Sequence, residues 1–229
     1  MNIAPADLIG RPIFFVCCRI QLVEGAPPAV FGVLIAGCAT TAPAPAPAPE
    51  PTAPAKPATK AGEIKTMQVT GFETATKPAT YVGPGSTVTP TFVADPVHEG
   101  KQALKIVYET NSWAGCVLAP GKEKGNWTGM TTFKVWVKGG NSGNKFEIQL
   151  QDAQDELFIT KISDNFTGWK QLVIPLSEFK HRNDYQNPTA KSNEVIDYPL
   201  HNIQFSTNQG SGGKGTINLV IDDLTVDDE

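Results

Sequence analysis

The sequence predicts an all-β fold, a β-sandwich, in the C-terminal part of a 229-residue chain. Apolar and polar side chains alternate over residues 133–138 and again over 146–151, as in strands with one buried face. Gly, Asn and Pro turns recur at short, regular spacing, and no long stretch has the apolar periodicity of a helix. Many short strands without a long helix are typical of a β-sandwich. Further strands are predicted at Lys101–Glu109, Leu157–Ile162, Trp169–Ile174, Asn202–Thr207 and Thr216–Val226.

The chain begins with a segment, residues 1–37, that we interpret as an export signal. Residues 33–38 are Val-Leu-Ile-Ala-Gly-Cys, an apolar run that closes on small residues, as secretory signals do. A cysteine directly after that junction resembles the lipobox of bacterial lipoproteins, in which the thiol is acylated. No uninterrupted apolar run reaches the ~20 residues of a transmembrane helix, so the predicted membrane anchor is a lipid on Cys38. Ala39 resembles the residue found in lipoproteins of the outer membrane, which predicts a place in the bacterial cell envelope, periplasmic or surface-facing.

The second segment, residues 38–62, is a linker dominated by Pro and Ala. Because proline fixes φ, this linker is expected to be a stiff, polyproline-II-like spacer. A Pro-rich tract cannot join a helix or the interior of a sheet. This disfavours the alternative that Val30–Cys38 is a buried strand or helix of an ordinary domain. The remaining residues, 63–229, have the size of one domain.

Charge and cysteine content exclude several classes of protein. The net charge is −4 and the lysines are scattered, so no basic stripe predicts nucleic-acid binding. Of the four cysteines, Cys17 and Cys18 lie in the signal and Cys38 in the lipobox, which leaves Cys116 without an intrachain disulfide partner. Cys116 is expected to be a small buried apolar residue. We expect the domain to be a monomer.

The longest irregular stretch, Pro175–Tyr198, holds the first candidate binding residues. A loop that long in a compact domain is usually functional or disordered. Arg182, Asp184 and Tyr185 are close enough in sequence to serve one sugar ring. A guanidinium donates to vicinal hydroxyls, a carboxylate accepts from them, and an aromatic ring stacks on the apolar face of a pyranose. A solvated loop with an Arg–Asp surface pair is the alternative.

The Arg-x-Asp-Tyr segment follows Gly168-Trp169 and a Pro-x-x-x-Phe turn at 175–179, and this order resembles the family 11 carbohydrate-binding modules. The ending Ile-Asp-Asp-Leu at 221–224 is similar as well. The resemblance covers about Gln68 to Asp228 and implies a β-jelly roll whose cleft binds single β-glucan chains. The jelly roll of complex I assembly proteins shares the Gly-Trp and Ile-Asp-Asp features, so Arg182, Asp184 and Tyr185 distinguish the two families.

Other candidate binding residues come from the strands and their ends. Alternation places the polar side chains of Gln149, Gln151, Gln204 and Ser206 opposite the core, where they complete a polar floor if both strands line the cleft. A plain solvated face is the alternative. Two further aromatic platforms are Trp113, interpreted as a turn residue, and Tyr108, which is the weaker candidate because it shares a strand face with apolar residues.

The resemblance also implies a structural calcium ion (Ca²⁺). Jelly-roll carbohydrate modules commonly hold this hard cation with carboxylate and carbonyl oxygens near the two chain ends. The matching positions are Glu73, the backbone carbonyl of Lys101 in the turn 99–101, and Asp222. Because these ligands are far apart in sequence, surface carboxylates without a metal are the alternative.

Enzymatic interpretations have little support in the sequence. A glycosidase needs two carboxylates facing one bond, and the stretch Glu147–Asp152 lacks the Glu-x-Asp-x-x-Glu pattern of jelly-roll glucanases. Gly-x-Ser-x-Gly and His-Glu-x-x-His motifs are absent from the sequence. The Gly-rich run 210–215 lacks the residues of a phosphate loop and is predicted to be a hairpin turn. We therefore predict a tethered lipoprotein that binds polysaccharide without cleaving it; the alternatives are an assembly module of the complex I type and a lipoprotein glucanase.

Overall fold

The computed structural model describes residues 63–74 and 76–229. The predicted signal segment, 1–37, and the predicted linker, 38–62, lie outside the described residues, as does Cys38. Their boundaries and the lipid anchor therefore stay predictions. In the part of the chain that is described, no helix is long and apolar enough to cross a membrane.

The described residues form strands joined by short turns, with one four-residue helix, α1, at Gly121–Lys124. The strands are β1 (Thr66–Thr70), β2 (Ala79–Val82), β3 (Thr87–Val93), β4 (Ala103–Thr110), β5 (Trp113–Leu118), β6 (Thr132–Gly140), β7 (Lys145–Gln151), β8 (Leu157–Ser163), β9 (Thr167–Pro175), β10 (Lys180–His181), β11 (Asn202–Asn208) and β12 (Gly215–Asp227). Every strand predicted from the sequence is present. The alternation rule missed β1, β2, β3, β5 and the two-residue β10, which lies in the stretch predicted to be irregular.

The strands form two six-stranded antiparallel sheets. Sheet A has the order β3-β4-β12-β6-β9, with β1 also paired to β12. The 13 residues of β12 let this strand pair with β4 along its first half and with β1 along its second. Sheet B has the order β10-β8-β7-β11-β5-β2. The predicted β-sandwich is confirmed.

The core lies between the two sheets and consists of the side chains that alternation predicts to be buried. Fully buried examples from both sheets are Leu104, Ile106, Phe133, Val135, Val137, Phe146, Ile148, Leu150 and Phe205. Burying each large apolar side chain contributes about 1.5–3 kcal/mol. Cys116 is buried among them, as predicted, and burial raises the pKa of its thiol to about 12. The core thus stabilises the domain without a disulfide in the described residues.

Tyr108 belongs to this core, so the prediction that it is a binding platform is wrong. Its ring is fully buried, and its hydroxyl donates a 2.7 Å hydrogen bond to the Phe205 carbonyl across the sandwich. On β4 it alternates in phase with Leu104 and Ile106, which places all three on the inner face of sheet A. The apolar residues on the same face of β4 therefore indicate correctly that Tyr108 is buried.

Two connections also differ from the predictions. Trp113 does not lie in a turn but begins β5, with its side chain exposed. The Gly-rich run 210–215 is not a hairpin turn, because it joins β11 of sheet B to β12 of sheet A, two strands that do not pair with each other. A 3₁₀ turn at Gln209–Ser211, followed by Gly212 at φ 89°, makes this change of sheet. A glycine adopts that left-handed conformation without strain.

Candidate functional site

The outward face of sheet B is the floor of a cleft with a volume of ≈ 600 Å³. The cleft extends across the sheet from β2 to the segment that follows β10. Its lining residues are Tyr81, Trp113, Val117, Glu147, Gln149, Gln151, Leu157, Arg182, Tyr185, Asn187, Asn202, Gln204, Ser206, Thr207 and Asn208. The lining therefore combines aromatic rings, amides and one guanidinium, a combination suited to a polar ligand with apolar faces.

The floor is a hydrogen-bonded layer of amide and hydroxyl side chains on the central strands. Gln204 of β11 lies opposite Gln149 of β7. The Gln149 amide nitrogen donates to the Ser206 hydroxyl, and the Asn202 amide nitrogen donates to the Gln151 carbonyl oxygen at 2.6 Å. All four predicted floor residues thus lie on one face and line the cleft. Because they hold one another in place, their remaining polar atoms are preorganised for a ligand.

Two aromatic rings form the wall at the β2 edge, and each packs on a glycine. The Tyr81 ring covers Gly115 of β5, where any Cβ would overlap the ring. The Trp113 indole covers Gly83 in the same way. The Tyr81 hydroxyl donates to the Gln204 carbonyl oxygen at 3.1 Å, and burial raises the pKa of Tyr81 above its ordinary value. Tyr81 is therefore a neutral ring held against the floor.

Arg182 enters the cleft from the opposite side, directly after β10. Its Nε and Nη2 donate to the two carboxylate oxygens of Asp184 at 2.9 and 3.0 Å, and its Nη1 donates to the Gln149 carbonyl oxygen at 2.9 Å. These bonds from Arg182 lower the pKa of Asp184. Asp184 itself is exposed and lies outside the cleft lining, so its position orients Arg182. The Arg–Asp fork fixes the guanidinium plane, as bidentate pairs do.

Tyr185 forms the second aromatic wall, and the loop behind it is tied to sheet B. Its side chain is 52% exposed, and the Arg182 guanidinium lies 5.7 Å from the centre of its ring. Gln186 fixes the loop because its side-chain amide pairs with the Leu157 backbone, accepting from N–H at 2.7 Å and donating to C=O at 3.0 Å. Tyr185 and Tyr81 therefore lie at opposite edges of the same sheet.

A turn of acidic residues after β7 holds the rest of this loop. The buried Glu156 carboxylate accepts hydrogen bonds from the Ser192 hydroxyl and from the backbone N–H groups of Asn193 and Glu194, at 2.7–3.1 Å. Burial would raise the pKa of Glu156, but these hydrogen bonds and nearby His181 outweigh it and lower the pKa. The carboxylate is therefore a structural anchor for the wall that carries Tyr185.

The predicted calcium ligands lie together, but in a different chemical arrangement. Glu73 accepts from the backbone N–H groups of Lys101 and Gln102 at 2.8 and 3.2 Å, and Asp222 accepts from those of His98 and Glu99. Both carboxylates thus face amide hydrogens of one turn, so the contact with Lys101 is made by its N–H. No group of three or more His, Cys, Asp or Glu side chains in the described residues is arranged to hold a metal. Calcium at this position stays a prediction.

Seven of the nine predicted binding residues line the cleft, Asp184 lies beside it, and Tyr108 is in the core. The sequence analysis missed six polar or aromatic lining residues: Tyr81, Glu147, Asn187, Asn202, Thr207 and Asn208. Tyr81 lies on a short strand with little alternation, so the sequence offered no signal for its face. Gly115 leaves room for the Tyr81 ring, but this becomes visible only when the pairing of β2 with β5 is known.

Comparison with known proteins identifies the fold and the family of this cleft. The sequence profile of the carbohydrate binding domain (family 11) matches residues 49–225. The family 11 carbohydrate-binding module of Clostridium thermocellum, solved with a beta-1,3-1,4-mixed-linked tetrasaccharide, aligns with a TM-score of 0.61 and 19% identity, covering 70% of this chain and 94% of that chain. The family 11 module of the cellulase Lic26A-Cel5E of the same organism aligns with a TM-score of 0.59 and 19% identity, covering 72% and 95%. The predicted jelly-roll fold is thereby confirmed.

One similar protein is an enzyme of much greater length. The mannan endo-1,4-beta-mannosidase of Bifidobacterium adolescentis is 26% identical over 133 residues, which are 56% of this chain and 13% of that enzyme. This chain therefore corresponds to a small part of the mannanase.

Proposed function

Since this chain belongs to the family 11 carbohydrate-binding domains, we propose that its sheet B cleft binds a single β-glucan chain without cleaving it. The observation that carries the proposal is the pair of aromatic walls, Tyr81 with Trp113 and Tyr185, on either side of the amide floor. Aromatic rings stack on the apolar faces of pyranose rings, while the floor and Arg182 bind hydroxyls.

The ligand class is proposed from the chemistry of the cleft and from the similar proteins. A neutral polymer suits a lining in which Arg182 is already paired with Asp184. The similar Clostridium module was solved with a mixed-linked β-glucan tetrasaccharide, which makes β-glucan the first choice. The partial similarity to a mannanase makes β-1,4-mannan the competing ligand.

Two other functions have weaker support from the described residues. Glycoside hydrolysis commonly uses two carboxylates facing one bond, whereas Glu147 is the one carboxylate in the described lining of this cleft. An assembly module of the complex I type would be expected to present an apolar patch, whereas the floor is polar, with amides, hydroxyls and the Glu147 carboxylate. Both remain alternatives that the binding experiment can distinguish.

Binding of the full chain to soluble mixed-linked β-1,3-1,4-glucan tests the proposal, with β-1,4-mannan in parallel. Calorimetry should show binding to the glucan. A reducing-sugar assay of the same mixture should show that no reducing ends are released. Tyr185→Ala should weaken binding about fivefold, the equivalent of about 1 kcal/mol of lost stacking, with an unchanged Tm. Arg182→Lys should also weaken binding, because lysine cannot form the fork.

The control is Val195→Ala, which changes an exposed side chain in the same loop but outside the cleft lining. It should keep wild-type affinity. Wild-type affinity in the Tyr185 and Arg182 variants would overturn the assignment of the cleft. A large fall in their Tm would instead show that these side chains stabilise the fold, which favours the assembly alternative.

We also propose that the protein is tethered to the bacterial envelope through a lipid on Cys38. The support is the apolar run that ends at this cysteine and the Pro/Ala-rich tract that follows it. Cys38→Ser should move the protein from the detergent phase to the aqueous phase after expression in a bacterial host, because only the thiol can form the thioether. Wild-type protein in the aqueous phase would contradict the anchor.

A further inference from the structure

Glu147 lies in the middle of the cleft floor and has no established role there. It is on β7, directly opposite Ser206 of β11 on one side and Lys161 of β8 on the other. The side chain is 1% exposed. It therefore places a carboxylate beneath the position where we propose that the sugar lies.

This carboxylate lacks the hydrogen bonds that a buried charge normally has. Its Oε1 is the one buried side-chain polar atom without a partner among the residues that the structure describes. Its Oε2 has a single contact, at 3.5 Å, with the Gln149 amide nitrogen, which also donates to Ser206. Nor does Lys161 form an ion pair with it within the described ranges. Leaving a buried acceptor unpaired is costly, and the cost is larger for a charged group.

The other buried carboxylates of the domain are all satisfied. Each accepts hydrogen bonds from backbone or side-chain donors, or forms an ion pair; they are Asp152, Glu156, Asp164, Asp222 and Asp227. Glu147 is thus the exception among the buried carboxylates of residues 63–74 and 76–229. An unpaired buried group in the floor of a cleft indicates that its partner comes from outside the protein.

We propose that the Glu147 carboxylate accepts hydrogen bonds from hydroxyl groups of the bound sugar. This inference rests on the proposed function, because it places the ligand in the same cleft. The terminal torsion of a glutamate is soft, so either oxygen can turn towards the ligand. The second N–H of the Gln149 amide reaches Glu147 at 3.5 Å only, since the contacts with Ser206 and Arg182 hold both ends of that amide in place. A sugar hydroxyl supplies the missing donor and makes Glu147 a specificity-determining residue.

The first part of the test needs no ligand. Glu147→Gln and Glu147→Ala remove a charge that is unpaired in the free protein, so the Tm should stay the same or rise. The matched control is Glu109→Gln, which removes a strand carboxylate that is exposed and hydrogen-bonded to Thr216 on sheet A. A Tm that falls by several degrees in both Glu147 variants would overturn the inference, because it would show that the carboxylate stabilises the free domain.

The second part measures the affinity of the full chain for soluble mixed-linked β-1,3-1,4-glucan. A hydrogen bond to a charged group is worth enough that either Glu147 variant should bind at least about tenfold more weakly, while Glu109→Gln binds like wild type. Wild-type affinity in both Glu147 variants would overturn the inference while leaving the proposed function intact. If wild-type protein binds neither glucan nor mannan, the proposed function fails and the sugar partner fails with it, whatever the Tm values show.

Discussion

Tyr81 owes its place in the cleft to the absence of a side chain at Gly115. The ring lies over Gly115 of β5, and a Cβ at position 115 would occupy the same space. Its hydroxyl reaches Gln204 on the next strand. Because Tyr81 also lines the cleft, its ring is placed to stack on the apolar face of a pyranose.

This arrangement makes a prediction for variants on both sides of the contact. Tyr81→Ala should weaken glucan binding by about 1 kcal/mol, whereas Tyr81→Phe, which keeps the ring, should lose less. Gly115→Ala should weaken binding as well, because the new methyl group lifts the ring from the floor. Isothermal titration calorimetry measures each affinity. Equal affinity in Tyr81→Ala and wild type would show that this ring does not stack on the ligand.

Tyr108 provides the matched comparison because it is a tyrosine with the opposite role. Tyr108→Phe leaves the Phe205 carbonyl without its buried donor, so it should lower the free energy of unfolding by about 1 kcal/mol and leave glucan affinity unchanged. Denaturant unfolding checks the stability. A change in affinity without a change in stability would contradict the assignment of Tyr108 to the core.

The two tyrosines also show what a sequence can predict at this scale. Period-two alternation predicts the face of a residue wherever a strand has a clear apolar side, which is why the core of β4, β6, β7 and β11 was predicted correctly. The same rule pointed to the burial of Tyr108. Tyr81 lies on a four-residue strand. Its face depends on pairing with β5, a contact that alternation within one strand does not encode.

At the scale of elements, the wall that carries Tyr185 depends on a turn far away in sequence. Residues 152–156 supply carboxylates, and the segment 182–201 supplies amide and hydroxyl donors, across separations of 34 to 45 residues. The irregular composition of 175–198 predicted a functional loop, but a hydrogen bond between distant segments leaves no local pattern. The sequence therefore predicted the residues that line the cleft better than it predicted the residues that hold this loop by hydrogen bonds.

The charges in this turn predict a pH dependence of stability. Hydrogen bonds from Thr189 and His201 lower the pKa of Asp155, and the pKa of Glu156 is lowered too because hydrogen bonds outweigh its burial. Their ionised forms therefore stabilise the fold above the ordinary carboxyl pKa, near 4, and this stabilisation is lost as the pH falls through the lowered values. Burial raises the pKa of Asp152, so its contribution has the opposite sign.

Glu156→Gln isolates one of these contributions. At about pH 7 it should melt below wild type, by the equivalent of about 1–3 kcal/mol, and the difference should narrow as the pH falls through the lowered pKa of Glu156, because the wild-type carboxylate then becomes protonated. Calorimetry over a pH series measures this. Glu123→Gln, on the exposed helix α1, is the control and should show no such trend. A difference that stays constant with pH would contradict an ionised anchor.

At the scale of the whole molecule, both ends of the domain meet on sheet A. β1 pairs with the C-terminal half of β12, and the Lys65 backbone N–H donates to the Asp228 carboxylate at 2.7 Å. The turn 98–102 is held by Glu73 near one end and by Asp222 near the other. Direct hydrogen bonds thus already link the two ends of the described domain, in the place where the family resemblance implies calcium.

A calcium requirement is tested by melting the protein with and without EDTA. An ion that binds only the folded state adds about 2.7 kcal/mol at a hundredfold excess over its Kd, so EDTA should lower the Tm by several degrees. Asp222→Asn weakens a carboxylate ligand and should reduce the response to EDTA. With EDTA present in both samples, Asp222→Asn should still melt lower than wild type. The reason is that Asp222 accepts hydrogen bonds from the backbone N–H groups of His98 and Glu99 whether or not an ion is bound. An unchanged wild-type melt in EDTA, with no metal by elemental analysis, would show that the hydrogen bonds of Glu73 and Asp222 hold the turn without an ion.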